Sequence, residues 1–588
     1  MKPTKTKHAF KDTWGKLLHY CRNYWIIIVA ALLASMIGTI LTLIGPDKLS
    51  EMTDLITSGL ATGIDMDGVR KIGFTLIAFY VTSTLLSLGQ GVIMATITQK
   101  VSNRLRDDIS TKINRLPISY FDRISKGDIL SRVTNDVDTI AQSLNNSIGT
   151  LVSAITLLAG SLVMMLKTNV ILTLTAIVAT FIGFGLMMLI MGKSQQFFVR
   201  QQEDLGKING HVEEVYSGHT IVKAYNGEAI EKKKFDDINN SLRESGFKAQ
   251  SLSGLMMPIM SFIGNFGYVA VCIVGAMLAI NGSISFGVII AFIMYVRYFT
   301  QPLGQMAQAA QSLQSTSAAS ARVFSMLEAT EMENESHKTK QLDQAEGFVA
   351  FKDVQFAYEG SDKPVINRFS AEAKPGQKIA IVGPTGAGKT TMINLLMRFH
   401  EINGGEITID GISTKELTRH DVHKQFCMVL QDTWIFEGTI RDNLVYATPN
   451  VSEDRIIEAS KAVGIHHFIA TLPKGYNTVL NDQVSLSEGQ KQQITIARAM
   501  IADKPMLILD EATSSVDTRT EVKIQEAMDQ LMVGRTSFII AHRLSTIKNA
   551  DLILVMKNGD IIESGTHDDL LEQGQFYADL YNSQFEVA

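Results

Sequence analysis

Apolar positions along this chain fall into two regimes. Six unbroken apolar runs, near 24–45, 73–98, 146–166, 169–192, 254–280 and 284–304, each reach the length of about 20 residues that a helix needs to cross a bilayer core of about 30 Å. None contains Asp or Glu, and Arg297 is the one charged residue away from their ends. A buried charge there is costly, so Arg297 is expected to face the bundle interior or water, with snorkelling or a backbone-carbonyl pair on one side and a substrate contact on the other as the readings. From about residue 348 the pattern changes to short β-branched stretches alternating with helical ones, as in "GFVAFKDVQFAY", "KIAIVG", "CMVLQ", "MLILDE", "TSFIIAH" and "LILVM". That alternation predicts an α/β domain around a largely parallel sheet.

The connections between runs give the orientation. Residues 100–145 hold eight Lys or Arg and 193–253 hold nine, against three in 46–71, which places the long connections in the cytoplasm. Each is too long for a turn and reads as helix continuing beyond the bilayer, so two helical hairpins project into the cytoplasm. After the sixth run "QMAQAAQSLQSTSAASARVFSMLE" stays helical in composition, and "ATEMENESHKTKQLDQAEG" then loses apolar periodicity and reads as a linker. The expected plan is a polar, basic segment at 1–23, a six-helix membrane domain at 24–325, a linker at 326–344 and the α/β domain at 345–588. Composition agrees: hydrophobic residues are 46 % and charged residues 19 % of the 588. The polar, basic opening has no cleavable leader pattern, and the N-terminus is expected in the cytoplasm. Three scattered cysteines, Cys21, Cys272 and Cys427, give neither a disulfide framework nor zinc-ligand spacing.

The α/β half carries the chemistry. The strand "KIAIV" runs into Gly383-Pro384-Thr385-Gly386-Ala387-Gly388-Lys389-Thr390-Thr391 and then an apolar helix, a strand–loop–helix that fits a phosphate-binding loop. Glycines let backbone N–H groups close on phosphate, Lys389 reaches the terminal phosphates, and the Thr390 hydroxyl suits Mg²⁺. In "PMLILDEATSSVD" a buried strand delivers Asp510 and Glu511 to its end. Asp510 suits a water-mediated Mg²⁺ contact and Glu511 a base that polarises attacking water.

Six spans followed by this ATPase resemble a half-transporter of the ABC (ATP-binding cassette) exporter family along essentially the whole chain. The resemblance implies a membrane α-helical bundle followed by an α/β P-loop ATPase, with ATP and Mg²⁺ as cofactors. It also implies roles: Tyr358 in "FAYEG" stacking on adenine, Gln431 in "VLQD" sensing Mg²⁺ and the attacking water, and His542 in "AHRLST" contacting the γ-phosphate. "LSEGQ", with Ser487, Glu488, Gly489 and Gln490, resembles the signature sequence that acts on ATP held by a partner, and Asp517 the acid facing that partner. "YFDRISKGDILSRVTNDVD" and "EEVYSGHTIVKAYNGE" resemble the hairpin segments whose tips transmit motion between ATPase and spans.

Two features depart from the family pattern. Glu488 stands where a glycine is usual, and "TVLNDQVS" replaces a glycine-containing segment upstream. A carboxylate at a helix N-terminus that should attract phosphate opposes binding or closure unless it turns to solvent. The catalytic positions Lys389, Gln431, Glu511 and His542 keep the pattern. That asymmetry resembles the catalytic-Glu subunit of bacterial heterodimeric multidrug exporters, in which one composite site hydrolyses ATP and the other mainly holds it.

The function expected is therefore ATP-driven export of hydrophobic or amphipathic compounds, drugs among them, from a bacterial inner membrane, in partnership with a second and different half-transporter. A homodimeric lipid or peptide exporter and an ATP-binding regulatory subunit are the alternatives. Nucleic-acid ATPases that share the cassette lack spans and are excluded by the hydropathy pattern. Ten methionines in 146–302 suit an adaptable apolar cavity but equally serve as filler in membrane helices.

Overall fold

The computed structural model describes residues 4–60, 63–361, 363–431, 433–481, 486–510, 518–541 and 544–585. The chain divides into two compact units: residues 1–114 with 126–329, and residues 115–125 with 330–588.

The first unit is helical. After α1 (Thr4–Tyr20) come α2 (Trp25–Gly59) and α3 (Met66–Ile113), then, beyond the hairpin tip α4 (Ile118–Phe121) that belongs to the second unit, α5 (Lys126–Ser131) and α6 (Val137–Thr168). The unit continues with α7 (Val170–Ser217), α8 (His219–Ala224), α9 (Glu228–Gly254), α10 (Met256–Ile280) and α11 (Phe286–Leu327). Among the described residues six helical stretches are long and apolar enough to span a membrane, one for each apolar run of the sequence. With 48 residues each, α3 and α7 extend roughly 70 Å at 1.5 Å per residue, more than twice the bilayer core. The connections that leave α3 and enter α9 by way of α7 thus begin as continuations of the spans. Their outer ends are capped: Asn169 accepts from the Leu172 N–H at 3.0 Å to start α7, and Asp65 accepts from Gly68 to start α3. Asp54 of α2 holds the start of α11, accepting from Ser285 Oγ at 2.6 Å and the Gly287 N–H at 2.9 Å.

Between α5 and α6 a π-helical turn, Arg132–Asp136, adds a residue to the helical path and carries Asp136 into the interior. There it accepts from Arg322 Nε of α11 at 2.9 Å. Such inserted turns persist where a side chain must be re-aimed.

The second unit holds two principal sheets. Its strands are β1 (Val349–Phe356), β2 (Ile366–Ala373), β3 (Lys378–Val382), β4 (Gly404–Ile409), β5 (Ile412–Ser413), β6 (Phe426–Val429), β7 (Gly438–Thr439), β8 (Val479–Leu480), β9 (Met506–Asp510), β10 (Thr536–Ile540), β11 (Leu552–Lys557) and β12 (Asp560–Gly565). The larger sheet, in order β12-β11-β3-β10-β9-β6, is parallel except for β12. Its central strands β3, β9 and β10 are buried along nearly their whole length and mostly apolar, as suits parallel strands covered by helices. The sequence expectation of a largely parallel sheet holds for these strands. It does not hold for "GFVAFKDVQFAY", whose β1 joins an antiparallel sheet in order β2-β1-β4-β5. Lys352, Asp353 and Gln355 in β1 point to solvent, and one-sided burial of that kind suits an antiparallel sheet.

The segment read as a linker is tied to this unit. The Glu335 carboxylate lies 2.9 Å from both Lys338 Nζ and Arg398 Nη2, and accepts from the Arg419 N–H at 2.6 Å. Burial pushes its pKa up, but that N–H and the surrounding cations prevail and hold it below the usual glutamate value. A polar sequence without periodicity is here a strap pinned by charge.

Candidate functional site

In an open parallel sheet, ligands bind outside the carboxyl ends of the strands. Register places three of those ends together: Ile540 of β10 is level with Ile381 of β3 on one side and with Asp510 of β9 on the other. The loop that leaves β3 begins two residues later at Gly383 and ends at helix α12 (Lys389–Leu396).

The loop's path requires its glycines. Gly383 lies so close to β11 that a Cβ would sit 2.2 Å from the Met556 carbonyl oxygen. Gly388 has φ +103° and caps α12, and a Cβ there would meet Ile366 Cδ1 at 2.9 Å. Lys389 folds back over the loop, its Nζ donating to the carbonyls of Gly383 at 2.7 Å and Pro384 at 3.1 Å. Burial lowers its pKa, while the Asp510 charge acts to raise it. Pro384, Thr385, Gly386 and Thr390 are exposed, whereas Ala387 and Thr391 are buried. A lysine ammonium above a helix N-terminus, with a carboxylate in electrostatic reach, can hold phosphate oxygens.

Tyr358 stands beside this loop. Its hydroxyl is 3.1 Å from Thr391 Oγ1, and its ring meets His400 and Phe356 edge-on at 5.3 and 4.9 Å. The pairings next to it are not legible in the sequence. The tip of the first hairpin belongs to this unit, with Arg123 bonded to the Glu359 carboxylate and Asp122 at 3.6 Å from the buried His400. These side chains line a cavity of about 510 Å³ with Phe356, Tyr358 and Arg398. Asp122 and Arg123 lie in the "YFDR" stretch of the hairpin segment that the family resemblance marks.

The signature region forms a second helix N-terminus. Ser487 caps the Glu488–Ala502 helix in a reciprocal box: its hydroxyl accepts from the Gln490 N–H at 3.3 Å, and its own N–H donates to Gln490 Oε1 at 2.9 Å. Gly489 is buried. The exposed Glu488 pairs along its own helix with Lys491 at 2.7 Å, so its charge is partly neutralised. Gln431 is exposed in the bend after β6. Glu511, Asp517 and His542 lie outside the described residues, directly after the ends of β9 and β10 or close beyond them.

Mg²⁺ beside a nucleotide takes one or two protein oxygens and completes its shell with phosphate and water. Among the described residues no group of three or more His, Cys, Asp or Glu could hold a metal by itself. The Thr390 hydroxyl, the Gln431 amide and Asp510 fit an ion that shares its shell with a nucleotide.

Two family models match the chain: "ABC transporter transmembrane region" over residues 27–303 and "ABC transporter" over residues 366–514. A Mycobacterium tuberculosis protein described as a fatty acid ABC transporter ATP-binding/permease protein is 44 % identical over 84 % of this chain and 78 % of its own length. An uncharacterized ABC transporter ATP-binding protein of Bacillus subtilis is 40 % identical over 99 % of this chain and 96 % of its own. An ATP-dependent lipid A-core flippase of Saccharophagus degradans is 33 % identical over 99 % of this chain and its whole length. The fold is similar to that of a solved bacterial Atm1-family ABC exporter with ATP bound, at a TM-score of 0.72 over 96 % of this chain and 98 % of that one, with 23 % identity. With its spans and its ATPase matched in order, and with relatives of this identity along nearly its full length, the chain belongs to the ABC exporters, multi-pass membrane proteins that couple ATP hydrolysis to transport.

Proposed function

We propose that this chain is one half of a dimeric exporter of amphipathic, lipid-like compounds in a bacterial cell membrane, with its ATPase unit in the cytoplasm. The observation that carries the reading is the union, in one polypeptide, of a loop fit for ATP phosphates with six spans whose only interior charge is Arg297. The names of the fatty acid and lipid A-core relatives support a lipid-like cargo over a drug.

In this reading Lys389 and the backbone N–H groups of Gly386, Gly388 and Thr390 bind the phosphates, Thr391 supports them, and Tyr358 packs on the base. Mg²⁺ would be held by Thr390, Gln431 and Asp510, and would supply charge neutralisation between phosphates. Glu511 orients and polarises the attacking water, with His542 on the terminal phosphate. Ser487, Gly489 and Gln490 present their helix N-terminus to ATP held by the partner, and Asp517 faces that partner.

We take the partner to be a different chain, since Glu488 brings negative charge to a terminus that works by attracting phosphate. The Glu488–Lys491 pair favours a second reading, a homodimer, because it mutes that charge. Turnover of ATP by the purified transporter in lipid nanodiscs tests the cargo: lysophospholipids are expected to stimulate it at least twofold, and stimulation by cationic drugs alone overturns the lipid-like reading. Full cargo-stimulated turnover by this chain purified without any other overturns the heterodimer.

A further inference from the structure

Two arginines on α11 have opposite surroundings. Arg322, on the cytoplasmic extension, is bonded to the buried Asp136. Arg297 sits about three turns into the helix that starts at Phe286, roughly 16 Å along it, near the middle of a bilayer core about 30 Å thick. It is exposed, and among the described residues no carboxylate forms an ion pair with it. Nor do the six apolar runs contain an Asp or Glu.

A guanidinium at that depth does not face hydrocarbon. Its neighbours on the helix agree: Gln301, Gly304 and Gln308, at successive turns below it, are exposed as well, while Phe292, Tyr295 and Pro302 on other sides are buried. Such a polar stripe suits water or a polar ligand. Gln301 borders a cavity of about 210 Å³ among α7, α10 and α11, walled by Phe184, Ile263 and Leu303 and edged by Thr180 and Ser261. On α10 Asn265, one turn from Ser261, is also exposed. An apolar cavity with a polar rim and one cation a turn away has the asymmetry of an acidic amphiphile. Its volume is below the roughly 300–1,000 Å³ of a site for a whole drug-sized ligand, so it takes only part of an apolar chain.

We infer that Arg297 anchors the anionic headgroup of the cargo, a carboxylate or a phosphate, with the start of the apolar chain in the cavity beside Gln301. This rests on the amphipathic-cargo reading above and narrows it to acidic amphiphiles. The guanidinium fork matches both headgroups bidentately, and removing such a charge-assisted contact in a low-dielectric site weakens binding on the order of tenfold or more.

The test uses the purified full-length transporter and three photoreactive sixteen-carbon probes that differ only at the head: carboxylate, phosphate and alcohol. For the wild type, the carboxylate or the phosphate is expected to label peptides containing Thr180, Ser261 or Gln301. Arg297→Gln is expected to raise the half-saturating concentration of that anion at least tenfold and to leave the alcohol within twofold, and Arg297→Lys to recover much of the loss. The preferred anion in the wild type identifies the headgroup. Equal affinity for the anion in Arg297→Gln, or an equal loss for the alcohol, overturns the anchor while the amphiphile reading stands. Saturable labelling of the wild type by none of the three overturns the cargo reading and the anchor with it.

Discussion

The two helix N-termini of the ATPase unit are built in different ways. The Gly383–Thr391 loop is held from behind: Gly383 lies against the backbone of β11 and Gly388 against the start of β2, and its lysine folds onto its own carbonyls. The Ser487 terminus is closed by its own reciprocal cap and by the Glu488–Lys491 pair, with Ser487 and Glu488 exposed. The difference is that of a pocket wall and a contact surface. At Gly383 and Gly388 an added Cβ would clash, whereas at the exposed Ser487–Glu488 end a substitution acts chiefly through the charge it presents.

That contrast is open to graded attack. Lys389→Ala removes the one ammonium of the loop, and ATP turnover is expected to fall at least a hundredfold, the scale for losing a preorganised donor to developing charge. Gly388→Val forces a side chain into positive φ and into contact with Ile366, a strain of about 1–3 kcal/mol, so nucleotide affinity drops tenfold or more and the unfolding midpoint falls by several degrees. Ser487→Ala loses a cap worth about 1 kcal/mol together with its hydroxyl, and turnover of the assembled transporter is expected to fall roughly tenfold with unchanged binding of ATP to the isolated chain. Glu488→Gly is expected to raise turnover of the assembly about two- to fivefold, the range of one charge near a helix end at about 0.3–1 kcal/mol. Lys491→Ala, which leaves Glu488 unpaired, is expected to lower it about twofold. If Glu488→Gly costs as much as Ser487→Ala, the carboxylate contributes to binding and the contrast fails.

The sequence and the structure agree where information is local. Six spans follow from runs of apolar residues, and the Gly383–Thr391 loop follows from contiguous residues whose backbone needs are fixed by glycine. Helices that continue past the apolar runs followed from the helical composition of the connections, and α3 and α7 have that length. Pairings between distant parts of the chain were not legible. The resemblance marked the hairpin that holds Asp122 and Arg123 but not their partners His400 and Glu359. Glu335 sat in a stretch that read as linker because its partners, Arg398 and Arg419, lie far along the chain. β1 was grouped with the parallel strands because composition marks a strand without marking its sheet. Arg297 stood out by composition alone, but the cavity near it needed Thr180 and Ser261 from two other helices.

The account stands on ATP-driven movement of an acidic amphiphile across the membrane. The direct measurement is uptake of a radiolabelled lysophosphatidic acid into proteoliposomes whose transporters have their ATPase units outside. The account predicts accumulation that requires ATP, is abolished by Glu511→Gln and is reduced at least fivefold by Arg297→Gln. Accumulation that proceeds equally without ATP, or equally with Glu511→Gln, would contradict it.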